Sequence, residues 1–238
     1  MALDLNEPQK YRDFRTDETP RYINQMPLLI SGKNLEGEMV DIPRIPFQVA
    51  DVFERRINAS KPDWMNASKP DWMNYWFDTV DGIVLSAQGA YTDGRFKIRK
   101  NSQSLKAVTP QIADTLIRGG IRHTSYEETS GTEFMSKDVI VNRDLNRDEA
   151  IDSPVLLELL NGDSSLRDAV VDKIFYEGKN RFNYDTMMGL FLPSELEEAH
   201  ERALFVDWLD CGSWLVGVSD LLGDDARLVG KAPEAPVV

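Results

Sequence analysis

Asp144-Leu145-Asn146-Arg147-Asp148 places oxygen-bearing side chains at alternate positions, as the opening of a calcium loop does. Such oxygens converge on a hard cation when the chain turns tightly between them. Asp152 stands at a further ligand position, but Glu149 occupies the place of the turn glycine and Val155 that of the bidentate glutamate. Asp144, Asp148 and Asp152 are therefore the candidate metal ligands. A divalent cation is the one cofactor the residues suggest. The competing reading is a solvated acidic turn that caps the helix beginning at Ser153-Pro154.

Glu177-Gly178-Lys179 carries a second chemical spacing. In metal-dependent nucleases a carboxylate on a strand holds Mg²⁺ beside a lysine that orients the attacking water. Here the surrounding pattern is helical, so the competing reading is a helix that frays at Gly178. Cys211-Gly212-Ser213-Trp214 has the flavour of a papain-type motif, yet no histidine follows it to serve as base. The glycines at 89 and 94 lack the lysine and hydroxyl of a phosphate-binding loop. No Gly-x-Ser-x-Gly nucleophile elbow is present.

Arg95, Lys97 and Arg99 alternate with Phe96 and Ile98, and Lys100 follows. On a strand this spacing holds three cations on one face and the apolar pair on the other. Arg95, Lys97, Arg99 and Lys100 are the candidate interaction residues. Phosphates, an acidic partner or the protein's own acidic half would each satisfy them.

Composition sets the limits. The chain has 238 residues, 27 Lys+Arg against 40 Asp+Glu, and a formal charge of −13. An acidic chain of this kind is a poor general nucleic-acid coat or polybasic membrane binder. One cysteine excludes an intramolecular disulfide, and two histidines exclude most His-rich metal chemistry. The charge is uneven. Residues 95–123 hold seven basic residues and only Asp114 as an acid, whereas the flanking segments are net acidic.

The first twenty residues lack an apolar core segment, so no signal peptide is expected. Asp207, Asp210 and Asp220 interrupt the most apolar stretch, 203–222. These features predict a soluble cytosolic protein without a membrane partner.

The elements that must position these residues are read from periodicity and turn signals. An extended or disordered arm is expected over 1–20. A mixed region follows over 21–145, with strands at 26–30, 82–86, 95–99 and 139–141 and helices over 46–57 and from Pro110. A mostly helical region is expected over 146–222, with helices from Ser153-Pro154, from Ser164 or Ser165, and from a Ser194/Glu197 capping box through Trp208. A flexible tail over 223–238 completes the chain. The class is α+β, with strands mainly in 20–145 and helices mainly in 150–222.

Asn58-Ala59-Ser60-Lys61-Pro62-Asp63-Trp64-Met65 recurs unchanged as residues 66–73. A tandem duplication suits a loop, because an insertion there carries a weak entropic cost. One copy is expected to keep the original role, with Ser68 and Pro70 opening a helix through Trp76 and Val80. Trp64, Trp72, Tyr75, Trp76 and Phe77 gather aromatic surface around it.

The functional expectation is a non-enzymatic accessory or interaction protein whose partner is a protein rather than nucleic acid. The absence of familiar motifs adds the expectation of a viral or mobile-element source. The alternative is a metal-dependent hydrolase or nuclease working through Asp144, Asp148, Glu177 and Lys179.

Overall fold

The computed structural model describes residues 11–13, 22–33, 37–39, 42–58, 72–73, 76–87, 94–117, 119–193, 198–217, 221–222, 227–231 and 233. Its centre is β3 (Phe77–Leu85), buried at all nine positions. One edge of β3 pairs antiparallel with β8 (His200–Val206). The other edge is shared. β10 (Arg227–Lys231) runs parallel to the start of β3, and β4 (Arg95–Arg99) runs antiparallel to its end. β1 (Tyr11–Asp13) and β2 (Ile45–Pro46) add to β10, while β6 (Thr132–Met135) adds to β4. β5 (Ile121–Arg122), β7 (Leu190–Phe191) and β9 (Leu215–Val216) complete the sheet around β8.

Helices cover both faces. Phe77, Ile83 and Leu85 enter a large core with α2 (Val49–Asn58), α4 (Arg147–Asp152), α5 (Pro154–Leu159) and α6 (Ser164–Phe182). Val80 enters a second core with α1 (Tyr22–Ser31) and α3 (Gln103–Lys106). A strand buried on both faces cannot alternate apolar and polar residues. β3 must therefore satisfy its own polar side chains. Asp81 accepts the Val49 and Asn101 backbone N–H groups, each at 2.8 Å, and the Gln48 side-chain amide at 3.1 Å. One carboxylate thus fixes the start of α2 and the turn after β4 to the central strand.

The helical stretch has legible ends. Asn146 and Glu149 form a capping box on α4, Ser153 caps α5, and Asp163 caps α6. Asn183 ends α6 at φ 59°, a left-handed position that asparagine tolerates. Among the described residues no helix is long and apolar enough to cross a membrane.

The α+β class stands, and α5 and α6 begin where Ser153-Pro154 and Ser164 placed them, whereas the expected acidic turn over 147–152 is itself a short helix, α4. Several details differ. Residues 26–30 lie in helix α1, whose Tyr22, Met26 and Leu29 recur at helical spacing and are buried. Residues 139–141 form no strand, and Thr132–Met135 pairs with β4 instead. The segment expected as a helix to Trp208 contains strand β8 (the capping-box residues 194–197 lie outside the described residues). His200, Glu201 and Arg202, expected within that helix, are all buried in the sheet. Strands β7 to β10 therefore follow the helices, and β10 falls in the segment expected as a flexible tail.

Pro110 opens a 3-10 turn over Pro110–Thr115 rather than a full helix. Ser68 and Pro70 lie outside the described residues, and Val80 belongs to β3, not to a helix.

Asp78, also on β3, is 4% exposed, and its Oδ1 has no hydrogen-bond partner among the described residues. Burial pushes its carboxyl up to about 7. The folded protein therefore holds a proton that the unfolded chain releases near pH 4. This contribution to stability is present below pH 4 and is lost as pH rises through 7, by up to about 4 kcal/mol. Asp78→Asn is expected to gain stability relative to the native chain as pH rises from 4 to 8. Urea denaturation across that range checks it, and a constant difference contradicts it.

Candidate binding surface

The basic strand forms as expected, but its cations turn inward. Phe96 and Ile98 are buried on β4. Lys97 is also buried, and its Nζ donates to the carbonyls of Tyr126 at 3.0 Å, Glu127 at 3.4 Å and Thr129 at 2.8 Å. It also lies 4.6 Å from the centre of the Tyr126 ring. Arg95 pairs with Glu127, and Glu133 lies 3.9 Å away. Lys100 pairs with Glu158 at 3.4 Å. These two residues line an open depression of about 440 Å³ with Asn101, Gln103, Ser130 and Thr132.

Arg99 reaches the deepest group. Its Nη1 donates to Glu201 Oε2 at 2.6 Å and to Ser104 Oγ at 3.0 Å. The Glu201 side chain is fully buried. Ser102 Oγ donates to Glu201 Oε1 at 2.5 Å, and His123 Nε2 lies 3.0 Å from Oε2. Gly82 of β3 lies against this carboxylate, where a Cβ would collide with Oε1. Serine, histidine and glutamate here do not form a nucleophile–base pair, because Ser102 donates to Glu201 rather than to His123. The cluster is a structural ion group in the sheet. His200 accepts from Arg202 Nε at 3.0 Å beside it.

The candidate metal ligands do not converge. Asp144 Oδ1 accepts the Trp214 indole N–H at 2.6 Å. Asp148 has a side chain 91% exposed, and Asp152 is exposed on the last turn of α4. Glu149 is held by Arg143 at 2.7 Å, which keeps its carboxyl down at about 2. Glu177 pairs with Lys173 at 2.9 Å and Lys179 with Asp185 at 2.7 Å, so that spacing is a helix surface. Among the described residues no group of three or more His, Cys, Asp or Glu is arranged to hold a metal ion.

The fold instead assembles aromatic side chains around the turn that joins β8 to β9. Trp76, just before β3, packs on Trp208 at 5.4 Å and on Phe205 of β8 at 6.0 Å. On the other flank, Trp214 lies 4.6 Å from Phe191 of β7. Trp76, Phe191, Phe205, Trp208 and Trp214 are all half-buried. The turn beneath them is tightly made. Leu209 and Ser213 are fully buried, Gly212 takes φ 85°, and Ser213 takes φ 53°. Arg56 Nη1 donates to Ser213 Oγ at 2.9 Å, and Tyr184 donates to the Asp210 carbonyl at 2.8 Å. Cys211 accepts the Trp208 indole N–H, and burial pushes its thiol up, away from reactivity.

Carboxylates surround these rings. Asp207 and Asp210 lie in the turn, and Asp144 binds Trp214. Burial raises Asp207 above the ordinary carboxylate range. Among the described residues no ion pair reaches Asp144 or Asp210, while the Arg56 guanidinium acts on Asp207. The expected aromatic cluster divides: Trp72 and Phe77 are core, whereas Trp76 joins this surface. Trp64 and Tyr75 lie outside the described residues. Sequence reasoning missed Phe191, Phe205, Trp208 and Trp214 as one surface. The Gly212-Ser213 turn between two tryptophans was the local signal for it.

No family model matches the chain, and no curated protein does. A solved structure described as "Accommodation of massive sequence variation in Nanoarchaeota by the C-type lectin fold" superposes with a TM-score of 0.63. The match covers 96% of this chain and 100% of that chain at 15% identity. The likeness shows the fold, which is C-type lectin-like.

Reversing Lys97 and Arg99 to Glu together is expected to cost more than about 3 kcal/mol, because Lys97→Glu turns a carboxylate onto buried carbonyls and Arg99→Glu sets a second negative charge beside Glu201. Lys100→Glu, at the exposed end, should stay within about 1 kcal/mol. Denaturant unfolding of the variants measures both. Equal, small effects would show that the stripe is a solvated face.

Proposed function

We propose that this protein is a non-catalytic binding module. Its surface around the β8–β9 turn engages a cationic segment of a partner protein. The observation that carries the reading is the coincidence of half-exposed tryptophans with the carboxylates of Asp144 and Asp210, which make no ion pair with another described residue. Trp76, Trp208 and Trp214 offer ring faces, and Asp144 and Asp210 offer negative charge beside them. Arg and Lys side chains satisfy both at once, through ring-face attraction and charge-assisted hydrogen bonds. Tryptophan is also the residue type most often dominant in binding energy.

Two further observations support it. The basic stripe is turned inward to the protein's own acids, which leaves little with which to hold a polyanion. The structural neighbour's description credits its C-type lectin fold with accommodating massive sequence variation. Here too the aromatic surface sits outside the buried residues that secure the turn. Side chains on it are replaceable without loss of the scaffold.

A displayed peptide library selected on the intact protein tests the reading. Enriched peptides are expected to be rich in Arg and Lys. Trp208→Ala and Asp210→Lys should each weaken them at least about tenfold with little change in melting temperature. Binding should fall with added salt. Selected peptides that bind both variants unchanged would overturn the assignment. Tight binding to single-stranded DNA at low salt would restore the nucleic-acid reading.

A further inference from the structure

A second concavity shares no residue with the aromatic turn. It is the open depression of about 440 Å³ between the turn after β4, the 130–132 segment and α5. Its shape is fixed by contacts beneath it. Asn101 takes φ 53°, and its N–H donates to the buried Asp81 carboxylate at 2.8 Å. Ser102 next to it caps α3. Gly131 takes φ 132°, where a Cβ would meet the Ile98 carbonyl at 2.6 Å. Two of its walls are thus tied to the sheet.

Charge on the walls is balanced but separated. Lys100 Nζ lies 3.4 Å from Glu158 Oε1, and both side chains keep part of their surface in solvent. Arg99 is already matched by buried Glu201. An anion entering the depression meets Glu158, and a cation meets Lys100. A ligand that carries both charges side by side avoids both conflicts. In an α-amino acid the ammonium nitrogen and a carboxylate oxygen are roughly 3 Å apart. That span matches the Lys100–Glu158 separation. With the ammonium on Glu158 and the carboxylate on Lys100, four charges alternate around a square, and the protein's own pair stays closed.

The remaining walls suit a polar side chain. The Asn101 and Gln103 amides and the Ser130 and Thr132 hydroxyls can each donate and accept. No aromatic ring is among the described residues that line the depression, so it offers no platform on which the apolar face of a sugar could stack.

We infer that this depression binds a free α-amino acid with a polar side chain. Its volume falls in the range of small-molecule sites. Because the charged pair is partly solvated, the affinity is modest, with a Kd of about 1 mM.

Amide NMR of the isotope-labelled protein, titrated with glutamine, leucine and glucose, tests it. Glutamine is expected to shift the Asn101, Gln103 and Thr132 resonances and to bind about fivefold tighter than leucine. Lys100→Met and Glu158→Gln should each weaken glutamine at least about fivefold with little change in melting temperature. Trp208→Ala should leave it unchanged, which separates this site from the aromatic surface. Capped ligands assign the two contacts. N-acetylglutamine should bind as weakly to the native protein as to Glu158→Gln, and glutamine methyl ester as weakly to the native protein as to Lys100→Met. No shift at these residues with about 10 mM glutamine overturns the proposal. So does glutamine binding that both variants retain, or glucose or N-acetylglutamine binding as tightly as glutamine.

Discussion

A carboxylate with no access to water, Glu201, is the constraint around which this sheet is built. Such a group is costly unless cations and donors meet it. Four separate segments supply what it needs. β4 brings Arg99, the cap of α3 brings Ser102, the residue after β5 brings His123, and β3 gives way with Gly82. A glycine in mid-strand ordinarily weakens a sheet, and here it is the room that the carboxylate requires. The uneven charge along the chain has the same origin. Arg95, Arg99, Lys100 and Arg122, all within the basic stretch, pair with Glu127, Glu201, Glu158 and Glu198 of the acidic part that follows. The basic island is the complement of the protein's own acids.

The same rigidity reaches the surface. β8 carries Glu201 in its interior and ends at Val206, one residue before the aromatic turn begins. Asp207 N–H donates to the Trp214 carbonyl at 2.8 Å and Met188 N–H to the Gly212 carbonyl at 2.8 Å, so the turn is bonded at both ends. Buried Leu209 and Ser213 fasten it to the core while Trp208 and Trp214 remain half-exposed. A surface held in this way presents its rings already ordered, which lowers the entropic cost of binding.

Elements with strong local signals were legible in the sequence. α5 announces itself with Ser153-Pro154, α6 with Ser164-Ser165, one residue after the Asp163 that caps it, and β4 with its alternation. β8 was not legible. Its Glu201 is buried because Arg99, Ser102 and His123, all distant in sequence, meet it, and no local pattern shows that. α1 misled for a simpler reason: Met26, Leu28, Leu29 and Ile30 form a short apolar run, which periodicity alone cannot assign. The candidate site was half legible. Asp144 stood out for its spacing, but its partner Trp214 lies seventy residues away in the chain. That contact converts an apparent cation ligand into a brace for an aromatic surface.

The pairing of Arg99 with Glu201 is the point at which the account is most exposed. A double-mutant cycle with Arg99→Met and Glu201→Gln, read by urea denaturation, measures it directly. The account predicts a coupling above about 2 kcal/mol, the range of buried charge pairs rather than exposed ones. A coupling below about 0.5 kcal/mol would mean that the basic strand faces solvent, and that the sheet is not organised around its buried carboxylate.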